Sequence, residues 1–165
     1  APEPVSERTP ACNNVRISGI IQRGGTRPVA IYGLEEREVS QIYISNMESI
    51  TRRGILVENG NDISFHDMKM DIQEGSALEV KDSKKISWDK ISVTTPQPES
   101  PFLKLTNCNE ITVTNCYQPE NIPLFINEDE KSGTIIVANN ILPGTTALVN
   151  NKGTNITTSN NILKK

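Results

Sequence analysis

The sequence predicts an all-β protein, a right-handed, single-stranded parallel β-helix (a solenoid) of about seven coils. A six-residue strand phrase recurs at intervals of 21 to 27 residues, and a regular period in that range is typical of solenoids. Ile, Val, Asn, Ser and Thr are frequent and aromatic residues form only 4% of the chain, which suits many short strands. The seven copies of the phrase begin at Val15, Ile42, Ile63, Ile86, Ile111, Ile136 and, weakly, Thr157.

Each copy of the phrase predicts a strand that ends in a corner. Ile63 and Phe65 alternate with Ser64, so they share one face of a strand. The next apolar residue is Met68, one position later than strict alternation allows, so the chain must bend before it. We expect the bend at the fifth place of the phrase, where residues that tolerate a left-handed backbone predominate. These residues are Gly19, Asn46, Asp67, Asn115, Asn140 and Asn161, with Lys90 as the one exception.

A second, shorter apolar stretch follows each phrase and predicts a second strand in every coil. A third strand is indicated after the corner, at Met70–Ile72 and Ile91–Val93. The second strands are expected at Val29/Ile31, Ile55/Val57, Leu78/Val80, Leu103/Leu105, Leu124/Ile126 and Ala147–Val149.

Equivalent strands of successive coils should stack about 4.8 Å apart, and this stacking predicts which side chains form the core. Residues at the same place of successive phrases would form one inward ladder, consisting of Ile17, Ile44, Phe65, Trp88 and Val113. A leucine-rich repeat has a similar period, but its Leu-x-x-Leu-x-Leu phrase is missing. A β-sandwich would not repeat the same strand phrase seven times with the same pattern of apolar and polar positions.

The phrase also predicts the organisation of the chain. Residues 1–14 form a proline-containing initial segment, and residues 15–165 form the coils. The last coil, at about 150–165, is polar, finishes with Lys164-Lys165 and is expected to act as a C-terminal cap. The first copy, Val15–Ile20, is as apolar as an internal one, and residues 1–14 contain no amphipathic helix to cover it. We therefore expect other coils to precede Val15 in the native protein.

Composition excludes several classes of partner. The net charge of −3 and the pI of about 5.3 argue against nucleic acid as a partner. No apolar run approaches the roughly 18 residues that a membrane span requires. The three cysteines and the single His66 fit no metal-ligand spacing, so no metal site is predicted. Cys116 falls on an inward place of the phrase, and His66 on an outward place where we expect an ordinary surface residue.

Several segments resemble bacterial members of glycoside hydrolase family 28, the polygalacturonase-like enzymes. The resemblance rests on P-V-S-E-R-T-P (Pro4 to Pro10), on N-V-R-I-S from Asn14, and on R-P-V-A-I-Y-G-L-E-E from Arg27 to Glu36. Glu35 replaces a proline that the family often carries in its Gly-Leu-Pro-Glu. The similarity extends from about Pro4 to about Leu142 and implies the same right-handed parallel β-helix.

The family's catalytic motifs are missing from the chain. No Asn-Thr-Asp and no Asp-Asp pair occurs, His66 is not flanked by glycines, and Arg16-Ile17-Ser18 ends in Ser where the family motif ends in Lys. In the family all four motifs precede the point at which this chain begins. The resemblance therefore implies the C-terminal part of a pectin-directed, inverting hydrolase, with no catalytic residue in this chain and no cofactor.

The resemblance also implies a substrate, a location and a set of contacts. The substrate would be a pectic polysaccharide or oligogalacturonide that the whole enzyme binds. The missing N-terminal half of the β-helix would be a partner of this chain. The protein would be secreted or periplasmic. By analogy with the family's catalytic strands, the second strands would line the face that carries the cleft. Arginine suits bidentate recognition of a uronate carboxylate. The candidate substrate-binding residues are Arg27, Tyr32, Arg52, Arg53, Glu58 and Lys81.

Two other functions are compatible with a β-helix. A non-enzymatic polysaccharide-binding or adhesin-like module would favour outward aromatic rings, because sugar rings pack on aromatic faces. Phe65 and Trp88 are expected to point inward, which counts against that alternative. A lyase on the same fold would favour acidic clusters for calcium, and none is evident in the sequence.

Overall fold

A computed structural model describes residues 4–6, 9–94, 100–119, 122–150 and 155–163. The described residues form β-strands and connecting turns without any helix, and so without a helix that could cross a bilayer. The strands are β1 (Asn13–Arg23), β2 (Ala30–Tyr32), β3 (Val39–Thr51), β4 (Ile55–Glu58), β5 (Gly60–Ile72), β6 (Leu78–Thr94), β7 (Leu103–Thr114), β8 (Leu124–Asn127), β9 (Ile135–Ala138), β10 (Ile141–Leu142), β11 (Ala147–Val149), β12 (Ile156–Ser159) and β13 (Ile162–Leu163).

Every named pair of strands is parallel, and the pairing order follows the winding of a solenoid. β1 pairs with β3, β3 with β5, β5 with β6, β6 with β7, β7 with β9, and β9 with β12. A second series joins β2, β4, the start of β6, the start of β7, β8 and β11. The chain thus winds through about six turns, which confirms the predicted all-β parallel β-helix.

Each coil contributes to three sheets, whose outward sides are here named the first, second and third faces. The phrase strands form the first sheet, and the short strands of the series from β2 to β11 form the second. The residues after the corner form the third sheet, in which Met68 is in register with Ile91 and Met70 with Val93. Both predicted third-strand segments are therefore confirmed. β5 and β6 run from the first sheet into the third without a break in pairing.

Left-handed residues occupy the predicted corners. Gly19, Asn46, Asp67 and Asn115 all have positive φ angles, between 52° and 73°. Lys90 has a φ of 57°, so the chain bends there as well. Its ammonium group lies 3.1 Å from the carboxylate of Asp67 on the preceding coil. This ion pair gives Lys90 a partner at a corner where other coils have Asn, Asp or Gly.

The predicted phase of the last two copies is wrong by one residue. Ile111 is in register with Ile135, and Ile135 with Ile156, whereas Ile136 and Thr157 point outward. The corners accordingly lie at Asn139 and Asn160, with φ angles of 58° and 52°, one residue before the predicted positions.

Asn140 consequently points into the interior, where it is completely buried. Its side-chain oxygen accepts a hydrogen bond from the backbone N–H of Cys116 at 2.9 Å, and its amide nitrogen donates to the backbone oxygen of Val113 at 3.1 Å. The same nitrogen donates to the side-chain oxygen of Asn161 on the next coil at 2.8 Å. These bonds satisfy a buried amide in a place that is apolar on the earlier coils.

The predicted inward ladder forms the centre of the core. Ile17, Ile44, Phe65, Trp88 and Val113 are in register on successive coils. The last three of these side chains are completely buried. Full burial of an aliphatic or aromatic side chain contributes about 1.5–3 kcal/mol, so the ladder is a main source of stability.

The first coil is covered on one side only within the described residues. β1 pairs with β3 alone, and its other edge has no paired strand. Ile17 is 42% exposed, whereas Ile44 at the equivalent place of the next coil is 3% exposed. The predicted boundary after residue 14 and the predicted cap at about 150–165 stay predictions. Lys164 and Lys165 lie outside the described residues.

Candidate functional site

The structure brings the six predicted contact residues onto the first three coils. Tyr32, Glu58 and Lys81 lie at one outward position of successive second-sheet strands, because Tyr32 is in register with Glu58 and Glu58 with Lys81. Arg52 and Arg53 lie in the turn that leads from β3 of the third sheet to β4 of the second. The six residues therefore divide between the second face and the turn beside it.

The second-face group contains one ion pair and one exposed phenol. The Lys81 ammonium lies 2.7 Å from the Glu58 carboxylate and 3.5 Å from the Asp82 carboxylate. The hydrogen bond to Glu58 raises the pKa of Lys81. Tyr32 is exposed on the coil before this pair. This surface offers a substrate a carboxylate and an ammonium that already neutralise one another.

Arg27 is held within the protein by two neighbouring coils. Its Nη1 donates to the backbone oxygen of Gly54 at 2.9 Å, and its Nη2 lies 3.0 Å from the Glu79 carboxylate. Its side chain is only 14% exposed. Since a carboxylate of the protein and a backbone oxygen occupy the guanidinium, Arg27 links the first three coils.

Arg52 and Arg53 share a single acidic partner. The Nε atoms of both arginines lie close to the same oxygen, Oε1 of Glu74, at 3.1 Å and 2.8 Å. The hydrogen bond from Arg53 lowers the pKa of Glu74, and the same bond raises the pKa of Arg53. The two side chains are 62% and 50% exposed. Two cations and one anion leave this turn with a net positive charge.

Sequence reasoning missed both acidic partners. Glu79 is 52 residues from Arg27, and Glu74 is 21 residues from Arg53. Only the coil register brings these residues together. The signal that could have found Glu74 is its spacing, because 21 residues is close to the length of one coil.

A further polar cluster lies on the first face. His66 is in register with Asp89, and its Nδ1 lies 2.8 Å from Oδ2 of that residue. Oδ1 of Asp89 accepts hydrogen bonds from Oγ1 of Thr114 at 2.7 Å and from Nδ2 of Asn115 at 2.6 Å. Partial burial raises the pKa of Asp89, but the hydrogen bonds from Asn115, Thr114 and His66 outweigh it, so the net shift is downward.

The surface position expected for His66 is confirmed. Its partner is Asp89 of the next coil, whereas the adjacent Asp67 pairs with Lys90. In the part of the chain that the structure describes, no three His, Cys, Asp or Glu side chains are grouped as metal ligands would be.

Comparison with known proteins establishes the fold. No protein-family model matches the chain, and no curated protein matches it. Among solved structures, the A-module of the mannuronan C-5 epimerase AlgE6 from Azotobacter vinelandii matches with a TM-score of 0.56 at 11% identity, over 94% of this chain and 56% of that one. A candidate glycosyl hydrolase from Parabacteroides merdae ATCC 43184 matches at 14% identity with a TM-score of 0.43, over 90% of this chain and 80% of that one.

These matches concern the fold alone, because the sequence identities are low. The chain spans little more than half the length of the epimerase module. The described coils therefore correspond to only part of that module.

Proposed function

We propose that this chain is the C-terminal β-helix portion of an enzyme that acts on a polyuronate, with pectin as the preferred substrate. In this role it extends and closes the solenoid that carries an active site on preceding coils. The reaction of the whole enzyme is hydrolysis of α-1,4-galacturonosyl bonds or a closely related cleavage, and no cofactor takes part. Such an enzyme reaches its substrate as a secreted or periplasmic protein.

The observation that carries this proposal is the uncovered first coil. Ile17 is an inward residue of the ladder, yet 42% of its surface is exposed, and the backbone edge of β1 has no paired strand among the described residues. Unpaired strand edges and exposed core side chains are both unfavourable, and a further coil removes both. The exposed side of the first coil therefore supports our proposal that a preceding coil with apolar inward residues packs there.

Three further points support a polysaccharide substrate. The segments from Pro4 to Pro10 and from Arg27 to Glu36 resemble the polygalacturonase-like enzymes. The matching epimerase module is named for mannuronan, which is also a polyuronate, and it is longer than this chain. The arginine-containing turn at Arg52 and Arg53 suits an anionic polymer, since guanidinium groups bind carboxylates in a bidentate manner.

Activity of the complete gene product tests the proposal. It should release new reducing ends from polygalacturonate and leave a neutral glucan of similar length intact. Polymannuronate and methyl-esterified pectin serve as comparison substrates to define the preferred uronate. Absence of new reducing ends from every polyuronate would overturn the proposed hydrolase function.

The alternative is a non-enzymatic, polysaccharide-binding β-helix module. Such a module would present stacked aromatic rings to a sugar chain. All three phenylalanines and Trp88 are buried, and the three tyrosines lie on three different faces. Tyr32 belongs to the second face, Tyr43 to the first and Tyr117 to the third. The enzyme portion is therefore the better supported proposal, and binding without turnover in the activity assay would favour the module.

A further inference from the structure

The turn at Arg52 and Arg53 has an excess of positive charge that other ion pairs of the structure lack. Arg27 with Glu79, Lys84 with Glu38, and Lys90 with Asp67 are each one cation with one carboxylate. Lys81 has two carboxylates near it. In the described ranges, the arginine cluster (Arg52, Arg53 and Glu74) is the place where two cations share one carboxylate oxygen.

The geometry of the arginine cluster leaves hydrogen-bond donors available. Both arginines contact Glu74 through Nε, at 3.1 Å from Arg52 and 2.8 Å from Arg53. A guanidinium carries five N–H donors in a fixed planar arrangement, so the Nη groups of both residues can still donate. Glu74 holds the two positive groups beside one another in spite of their mutual repulsion. An added anion would therefore find two guanidinium groups already adjacent.

A groove on the third face lies next to the arginine cluster. It has a volume of about 420 Å³, and its lining includes the apolar Ile21 and Ile50. The charged residues of the lining are Arg23, Lys69, Glu48 and Asp71. Arg23 is in register with Ile50, and Arg52 follows Ile50 by two residues, so the groove adjoins the turn that carries the cluster.

The groove combines apolar surface with charges of both signs, because Arg23 and Lys69 are accompanied by Glu48 and Asp71. The Lys69 ammonium lies 4.0 Å from the Glu48 carboxylate, so the excess positive charge next to the groove comes from the arginine cluster. Ile21 and Ile50 are exposed large apolar side chains. Arg23 is exposed and has no ion-pair partner among the residues that the structure describes. Saccharide sites commonly combine apolar walls, which pack against the C–H faces of the sugar, with a few convergent polar groups that fix its orientation.

We propose that the arginine cluster binds one carboxylate of a uronate oligosaccharide whose sugar rings lie in the third-face groove, with Arg23 beside a neighbouring uronate. This proposal rests on the polyuronate substrate of the proposed function. It moves the contact away from the second face, where Glu58 neutralises Lys81 and Glu79 neutralises Arg27. Arg52 and Arg53 are then substrate-binding residues, and Glu74 is the residue that positions them.

Titration of the complete gene product with a defined oligogalacturonate, followed by calorimetry, tests the arginine cluster. The variant Arg52→Gln/Arg53→Gln should bind the oligogalacturonate about tenfold more weakly or worse, because a hydrogen bond to a charged group contributes about as much as a tenfold change in affinity. The single variant Arg53→Lys keeps the charge but loses the planar fork, and it should lie between the wild type and the double variant. Arg16→Gln is the matched control, since Arg16 is an exposed arginine on the first face and stacks over Tyr43.

The methyl-esterified oligosaccharide of the same length provides the second arm. The wild type should bind the ester about as weakly as the double variant binds the acid, and added salt should weaken only the binding of the acid. Equal affinity of the wild type and the double variant for the acid would overturn the proposal, and so would equal affinity of the wild type for acid and ester. Arg23→Gln tests the groove independently and should also weaken binding of the acid.

The outcomes separate this proposal from the proposed function. If the enzyme cleaves polygalacturonate and the double variant binds it as well as the wild type does, the proposed binding role of the arginine cluster is wrong and the hydrolase function stands. If the wild type binds without cleavage and the double variant binds more weakly, the cluster stands and the hydrolase function falls. If the wild type binds no oligogalacturonate, the proposed binding role of the arginine cluster is wrong, whatever the cleavage assay shows.

Discussion

Phe65 and Trp88 stack face to face inside the solenoid, with ring centroids 4.1 Å apart and ring planes 9° from parallel. The two residues are in register on successive coils, so the stacking is a direct result of the strand pairing. Both are completely buried, and together they fill the middle of the inward ladder. Stacked aromatic pairs add about 0.5–1.5 kcal/mol beyond the area that they bury.

Removal of the indole ring should be one of the most damaging core changes. Trp88→Ala is expected to lower the free energy of unfolding by about 3–5 kcal/mol, because it leaves a large cavity beside Phe65. Trp88→Phe should cost clearly less, since it keeps a stacked ring and removes an indole N–H that has no hydrogen-bond partner among the described residues. Urea unfolding measures both values. Tyr32→Ala, at an exposed position, is the control, and an equal loss in the control would contradict the assignment of the core.

Gly54 should not tolerate a side chain. A Cβ atom at this position would collide with the backbone carbonyl of Ala77 on the next coil, and the backbone oxygen of Ser76 also lies close by, so no flexible side chain can move to make room. Gly54→Ala is therefore expected to lower the free energy of unfolding by about 1–3 kcal/mol or more, which is the usual cost of overpacking. Thermal unfolding followed by circular dichroism measures the loss. A variant as stable as the wild type would show that these two coils are not packed as described.

Asp89 should make the stability depend on acid pH. The pKa of Asp89 in the folded state is below its ordinary value, so the charged carboxylate stabilises the fold. This stabilisation is fully present above about pH 4, where the carboxyl group of the unfolded chain is also ionised. It is lost as the pH falls through the pKa of the folded state. Asp89→Asn removes this titration and should flatten the decline in stability below about pH 4. It should also cost about 1 kcal/mol at pH 7, because the hydrogen bonds to His66, Thr114 and Asn115 lose their charge.

Urea midpoints between pH 2 and pH 7 provide the measurement for Asp89. Asp71→Asn is a suitable control, since Asp71 is an exposed carboxylate on the third face. A wild-type profile with the same acid slope as that of Asp89→Asn would be inconsistent with the described cluster.

The cysteines should differ sharply in reactivity. Burial raises the pKa of Cys108 to about 11 and that of Cys116 to about 12, whereas Cys12 is exposed. The thiolate is the reactive form, so Cys108 and Cys116 should be inert at pH 8 in the native protein. Titration with a chromogenic disulfide should detect one thiol per chain in buffer and three in denaturant. Detection of two or three thiols before unfolding would contradict the inward position of Cys108 and Cys116.

Much of the fold could be predicted because one coil repeats another. The alternation of Ile63 and Phe65, together with the displaced Met68, predicted both the strand and the corner. The same pattern failed at Ile135-Ile136 and at Asn139-Asn140, where identical neighbours make either phase acceptable. Hydrogen bonds decide the phase there, and they depend on backbone groups of other coils that the local sequence does not reveal.

The candidate site could be predicted only in part, for a related reason. The sequence identified Arg27, Arg52 and Arg53 as cations suited to a carboxylate, but Glu79 and Glu74 were not identified as their partners. Partners separated by one or two coils are brought together by register alone. Coordinates were therefore needed to distinguish Arg27, which is largely buried and paired with one carboxylate, from the arginine cluster, which retains a positive charge.

The most direct test of the account concerns the side of the first coil that is uncovered here. In the complete gene product, with Cys12 replaced by Ser, the variant Ile17→Cys should react with a maleimide as slowly as Ile44→Cys does, because a preceding coil covers it. Ser18→Cys, its outward neighbour, should react rapidly in the same protein. Rapid labelling of Ile17→Cys, at the rate of Ser18→Cys, would show that no coil lies against β1 and would contradict the account.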